Sequence, residues 1–216
     1  MKSERRSGAA RRRVLGTGLL AAVLLFAPAG AGADTKGFML GLDLHYSGIG
    51  AEEESATSHE NSVFVDEDGG GATLLLGYGF TEAFALRVSM NASNHETSDS
   101  DVDVLYANST IEAMYVFRHG WPFRPYLFGG IGGCSLESRY DPFRYETSGP
   151  GTAAGAGFLY FPGEHFAIDV ALRFEFINWD KATAELVTDQ GTLTVETPIE
   201  DEGSAVKVLF GVNYWF

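Results

Sequence analysis

Large apolar residues recur at every second position through five stretches of the chain. Phe38, Leu40, Leu42, Leu44 and Tyr46 alternate with Met39, Gly41, Asp43 and His45. Ala72, Leu74, Leu76, Tyr78 and Phe80 form a second run, and Phe84, Leu86, Val88 and Met90 alternate with Ala85, Arg87, Ser89 and Asn91. Phe166, Ile168, Val170, Leu172, Phe174 and Phe176 alternate with Ala167, Asp169, Ala171, Arg173 and Glu175. Val206, Val208, Phe210, Val212, Tyr214 and Phe216 alternate with Lys207, Leu209, Gly211, Asn213 and Trp215. A period of two places successive side chains on opposite faces of a β-strand, so each run separates two different environments. Three less regular strands are expected near 104–117, 124–136 and 152–161, where Gly129, Gly130, Gly132, Gly133, Gly155 and Gly157 blur the faces. The pattern predicts an all-β chain of eight antiparallel strands in an up-and-down meander. Eight strands can close on themselves without leaving an edge.

Alternation alone does not say which face is inside. A soluble barrel would turn its large apolar face inward, and a membrane barrel would turn it outward. The second face carries Asp43, Arg87, Glu112, Asp169, Arg173, Glu175 and Lys207. These suit a polar lumen and would be costly in an apolar ligand cavity. Expected connections are short near 81–83, 118–123 and 162–165 and long near 47–70, 93–101, 137–149 and 178–203, as short periplasmic turns and long outer loops would be. Aromatic residues gather where strands should meet water. Tyr78, Phe80, Phe117, Trp121, Phe123, Tyr126, Phe161, Tyr214 and Phe216 fall toward the short-turn end, with Tyr46 and Trp179 toward the other. The reading is a transmembrane β-barrel with both mature termini in the periplasm.

Leu76-Gly77-Tyr78-Gly79-Phe80-Thr81-Glu82-Ala83-Phe84-Ala85-Leu86-Arg87 resembles the second hairpin of the small OmpA-like outer-membrane β-barrel family. Arg124-Pro125-Tyr126-Leu127-Phe128-Gly129-Gly130 resembles that family's fifth strand, and Gly155-Ala156-Gly157-Phe158 its sixth. Val212, Tyr214 and Phe216, spaced two apart, resemble the signature by which such barrels are handed to the barrel-assembly machinery. The resemblance spans about residues 37–216 and implies a bacterial outer-membrane location amid lipid and lipopolysaccharide. It specifies architecture more than activity. With no further domain after the barrel, cell-wall tethering is not expected.

Composition sharpens the address. Residues 1–33 hold six basic residues (Lys2, Arg5, Arg6, Arg11, Arg12, Arg13) and only one acid, Glu4, ahead of an apolar run from Val14 to Ala27. The small-residue stretch at 29–33 then completes the form of a secretory signal peptide, cut after Ala33. Residues 34–216 are the expected barrel domain, and no Cys follows the cut to carry a lipid anchor. The whole chain of 216 residues has a net charge of −14 and one Cys, Cys134. Nucleic-acid binding is not expected of so acidic a body, nor a disulfide framework of a single Cys.

Candidate chemistry is sparse. The seven lumen charges are expected to form a paired interior network that plugs the barrel, because an unpaired buried charge costs several kcal/mol. Glu52, Glu53, Glu54, Glu60, Asp66, Glu67 and Asp68 crowd one outer loop. Asp180, Glu185, Asp189, Glu196, Glu200, Asp201 and Glu202 crowd another. A solvated acidic surface is expected there, since no calcium-loop spacing is present. Thr183–Val187 and Thr192–Thr197, about Asp189-Gln190-Gly191, could prolong the last hairpin above the membrane and offer an edge to a protein partner. His45-Tyr46-Ser47 resembles a His-x-Ser element of lipid A-modifying hydrolases, but the alternation turns His45 toward the lumen. His59, His95, His119 and His165 show no ligand spacing, so no metal, cofactor or catalytic set is expected. A structural or interaction role is the first expectation, a narrow channel for ions or small solutes the alternative, and a lipid A hydrolase a distant third.

Overall fold

Eight strands follow one another along the chain: β1 (Gly37–Ala51), β2 (Glu67–Gly79), β3 (Phe84–Glu96), β4 (Asp103–Val116), β5 (Phe123–Tyr140), β6 (Phe143–Tyr160), β7 (Phe166–Thr188) and β8 (Gly191–Trp215). The structure is a computed structural model that describes residues 34–51, 67–96, 103–118, 120–140, 142–188 and 191–216. Each strand pairs antiparallel with its neighbour in sequence, and β1 with β8 closes the ring from Met39↔Trp215 to Ala51↔Gly203. The expected eight-stranded meander is therefore the observed one.

The alternation resolves as an inverted protein. Phe38, Leu42, Leu44, Ile111, Ile131, Phe176 and Val208 stand on the outside, while Asp43, Arg87, Glu112, Asp169, Arg173, Glu175 and Lys207 are buried inside. Such an exterior would be an aggregation liability in water and matches a hydrocarbon surround. At the short-turn end Tyr78 meets Phe38 and Phe80 edge-on, with ring centroids 5.1 and 5.2 Å apart. Tyr115–Phe117 and Tyr214–Phe216 repeat that geometry, each at 4.9 Å. Three residues expected in the aromatic belts are not there: Tyr126, Phe161 and Trp179 are buried within the barrel. The pairing register puts Tyr126 and Trp179 on the lumen side, and that register outranks their proximity to a strand end.

A second correction concerns loop length. The stretches 137–149 and 178–203 are largely strand, with β5–β6 paired up to Tyr140↔Phe143 and β7–β8 up to Thr188↔Gly191. Gly191 sits at φ 140°, a conformation that side-chain-bearing residues rarely adopt, where β8 leaves the turn. The reason for the difference is physical. A sheet projecting beyond the barrel wall is wetted on both faces and loses the apolar–polar contrast that marks a strand. Among the described residues β1 and β2 pair no further than Ile49↔Glu67, so β5–β8 stand above the rest of the wall. Between Ile177 and Lys181 β7 carries one residue more than β6, and between Trp179 and Lys181 one fewer than β8, so its alternation breaks just beyond Trp179. Trp179, still in phase with Arg173, Glu175 and Ile177, is inside the barrel, whereas Lys181 beyond the break is exposed and bonds Glu196 at 2.8 Å.

Candidate functional site

Side chains fill the barrel interior in three levels. The middle level is ionic. Glu112 on β4 accepts Arg87 Nε at 2.8 Å, also pairs with Arg173, and takes Thr110 Oγ1–H at 2.6 Å. Arg173 on β7 reaches Glu175 as well and donates to Thr110 Oγ1 at 2.9 Å. Lys207 Nζ closes the chain on Glu175 at 3.1 Å, with Tyr106 Oη donating to the same carboxylate at 2.7 Å. Gly130 makes the Glu112 placement possible. A Cβ there would stand 2.7 Å from Glu112 Cγ and would collide with the Ile111 carbonyl oxygen. Of the seven charges singled out in the sequence, five are thus joined. The guanidinium of Arg87 also lies 4.5 Å from the Phe128 ring centroid.

Asp43 and Asp169 stand apart from that chain. Asp169 accepts Tyr126 Oη at 2.7 Å and Asn213 Nδ2 at 2.9 Å. Among the described residues neither aspartate has a cationic nitrogen within the 4.0 Å of an ion pair.

Toward the long hairpins a neutral polar chain runs along one wall. His45 Nδ1 and Thr73 Oγ1 lie 3.0 Å apart, Thr73 donates to Asn91 at 2.6 Å, and Asn91 donates to Asn108 at 2.7 Å. Asn108 then donates to Tyr106 at 3.2 Å, which ties the chain to Glu175. His95 Nε2 lies 3.0 Å from Ser93 Oγ and 3.3 Å from Ser47 Oγ. These contacts have no signal in the sequence, because histidines at distant positions show no relation until β1 and β3 are brought round to β2. His45 and Ser47 both point inward, away from the lipid face that a lipid-trimming hydrolase would use.

Apolar levels close the ends. Met39, Leu75, Met114, Val116, Leu159, Phe161 and Trp215 pack together at the short-turn end. Arg124 lies 4.5 Å over the Phe161 ring there and donates from Nε to the Trp121 carbonyl at 2.8 Å. Ile49, Tyr106, Cys134, Ile177, Trp179 and Ala205 form a smaller cluster toward the other end. Met39 and Trp215 already sat on the mostly polar face of the sequence alternation, so a signal for these levels existed.

On the outer face of the projecting sheet Glu137 pairs with Arg139 and with Arg144, the latter at 2.6 Å. Hydrogen bonding from Arg139, helped by Arg144, holds the Glu137 carboxyl below the usual carboxylate range. A carboxyl depressed in the folded state stabilises at neutral pH and loses that contribution as pH falls through its folded value. Amide exchange at the β5–β6 tip, followed by mass spectrometry, should therefore quicken on acidification in the parent protein. In Glu137→Gln it should already be fast at neutral pH and less responsive to acid. Equal acid response in both would remove Glu137 as the latch.

Asp68, Asp180, Glu185, Glu196, Glu200, Asp201 and Glu202 lie toward the long-hairpin end. Glu52, Glu53, Glu54, Glu60, Asp66, Asp189, His59, His119 and residues 1–33 lie outside the described residues, as does the side chain of Glu67. Among the described residues no group of three or more His, Cys, Asp or Glu side chains is arranged to hold a metal ion. Val212, Tyr214 and Phe216 project from the outer face of β8.

The sequence profile described as outer membrane protein beta-barrel domain matches residues 17–216. No curated protein matches the chain in sequence. Neisserial surface protein A superposes with a TM-score of 0.60 at 15% identity, over 84% of this chain and 98% of its own. A major outer membrane protein of Thermus thermophilus gives 0.57 at 10% identity, over 83% and 99%. The outer membrane protein AlkL gives 0.51 at 14% identity, over 88% and 95%. At these identities the likeness is one of fold.

Proposed function

We propose that this chain, which belongs to the outer membrane protein β-barrel domain family and resides in the bacterial outer membrane, is a non-conducting structural and interaction barrel. In this reading residues 1–33 direct export, and Val212, Tyr214 and Phe216 are engaged by the barrel-assembly machinery. Lipid and lipopolysaccharide then surround the apolar wall. The observation that carries the proposal is the filled cross-section. Arg87, Glu112, Arg173, Glu175 and Lys207 bridge the lumen, and an apolar level of Met39, Leu75, Met114, Phe161 and Trp215 lies below them. A hydrated ion crossing that level would lose its water shell against apolar walls with nothing to replace it.

The interactive part is the projecting sheet. Beyond Gly203, β8 has no β1 partner among the described residues, and this stretch carries Glu196, Glu200, Asp201 and Glu202. A strand edge of this kind can accept an extended segment by main-chain pairing, and its charge favours a basic one. The test is single-channel recording of the refolded protein in planar bilayers. Silence at physiological salt is the expected result. Discrete openings, altered by charge reversal at Arg87 or Glu112, would make the ionic level a gate and the protein a narrow channel.

A further inference from the structure

Water on both faces of a sheet asks for no apolar side, yet two rows of the projecting sheet keep one. Tyr140, Phe143, Leu186 and Leu193 are register partners in turn across β5, β6, β7 and β8. Tyr145, Ala184 and Val195 form the next row toward the membrane. The row after that, Leu136, Thr147, Ala182 and Thr197, starts beside Tyr106 of β4, which is buried in the lumen. Alternate rows share a face, so the two apolar rows lie on the inner side, above the barrel mouth. Tyr140, Phe143, Tyr145, Leu193 and Val195 are 42% to 64% exposed there. A contiguous apolar patch in water marks an interaction surface.

Both rows end on β8. Among the described residues no strand stands beyond Leu193 and Val195, so each row lacks a neighbour on that side. The chain's own continuation is a poor complement. β1 pairs with β8 as far as Ala51↔Gly203, and Glu52, Glu53 and Glu54, carried on in that register, would face Glu202, Asp201 and Glu200. Like charges directly opposite one another destabilise a strand pair. Pro198 has no N–H to give to a ladder and divides the stretch in two. Residues 192–197 turn Leu193 and Val195 inward and Thr194 and Glu196 outward, and 200–202 are all acidic.

We propose that this stretch of β8 takes an extended segment of a partner protein whose leading residues are basic and whose following residues alternate apolar and polar. The inference rests on the interaction role given to the projecting sheet and specifies the partner. Antiparallel pairing is the more stable kind, and it brings the leading basic residues against Glu200, Asp201 and Glu202. The apolar residues then turn inward beside Val195 and Leu193 and lengthen both rows by one strand.

Fluorescence anisotropy of a labelled peptide tests this, with the refolded protein held one barrel to a disc of zwitterionic lipid. The probe is a run of lysines followed by alternating valine and threonine, and the comparison peptide has serine for each valine. The probe should bind saturably and the serine peptide about tenfold more weakly, since each valine buried is worth about 1.5 kcal/mol or more. Val195→Ser should weaken the probe by about the same factor, and so should Glu200→Lys combined with Glu202→Lys. A probe N-methylated at alternate backbone nitrogens should not bind. Equal affinity of the valine and serine peptides, both lost on N-methylation, would overturn the alternating partner and leave the edge as an interaction site. Binding of neither peptide would overturn this proposal and the edge reading with it. Binding that survives N-methylation would be adsorption to the apolar face and would overturn strand pairing. Binding that first appears when residues 53–65 are deleted would make the chain's own loop the occupant. Binding seen in single-barrel discs but blocked in crowded vesicles would make it a second copy. Either result equally overturns the proposal.

Discussion

Replacing Arg173 by methionine is expected to destabilise the refolded barrel by about 3–5 kcal/mol, the usual range for removing one partner of a buried ion pair. Arg173 is 1% exposed and serves three acceptors: Glu112, Glu175 and Thr110. Methionine approximates its length and fills much of its volume, so the loss is electrostatic rather than a cavity. The two carboxylates are left with matching sets of partners. Glu112 keeps Arg87, and Glu175 keeps Lys207, each with a hydroxyl donor besides. Combining Arg173→Met with Glu112→Gln should therefore cost clearly less than the two single losses added together, since the double variant removes the charge that the single one strands. Reversible urea unfolding in vesicles, read by tryptophan fluorescence, gives all three values. Strict additivity would show that the pair is not energetically coupled, and the ionic level would then be only a filler of the lumen.

The second large effect is on the outer wall. Ile111 is 56% exposed on β4 and pairs across the ladder with Val88 and Ile131, both on the same outer face. Leu193 on β8 is similarly exposed, at 64%, but stands on the projecting sheet. In water both would tolerate arginine within about 0.5 kcal/mol. In a bilayer Ile111→Arg should cost about 2–4 kcal/mol, as an arginine near the midplane of a barrel's lipid face does. Leu193→Arg should remain near zero in vesicles. The contrast between two aliphatic residues of like exposure maps the hydrocarbon boundary onto this chain. Equal costs for both, measured in vesicles, would mean that the wall at Ile111 is not embedded.

How much was legible beforehand differs by level. The period-two runs carried the strands, because lipid on one side and a packed lumen on the other impose opposite demands on successive residues, and the charges on the smaller face told which side is the lumen. The seven interior charges were readable for the same reason. The length of β7 and β8 was harder to see, since beyond the membrane both faces of a strand meet water and the alternation no longer carries meaning. Trp179 continues the inward phase of Arg173, Glu175 and Ile177, so its placement was legible in the alternation, but the break beyond it that turns Lys181 out leaves no mark in hydrophobicity.

The linear chain therefore determined a closed eight-stranded barrel, an apolar exterior and a charged interior. Local alternation encodes the two solvents, and the charges gathered on one of its faces say which of them lies inside. Only the tertiary structure decided which charges meet. Arg173 reaches Glu112 across 61 positions of sequence, and Asp43 is left facing Gly211 rather than a cation. That outcome depends on strand register around a ring, where β8 returns to β1. A shift of one residue would exchange the lumen face for the lipid face along the whole strand.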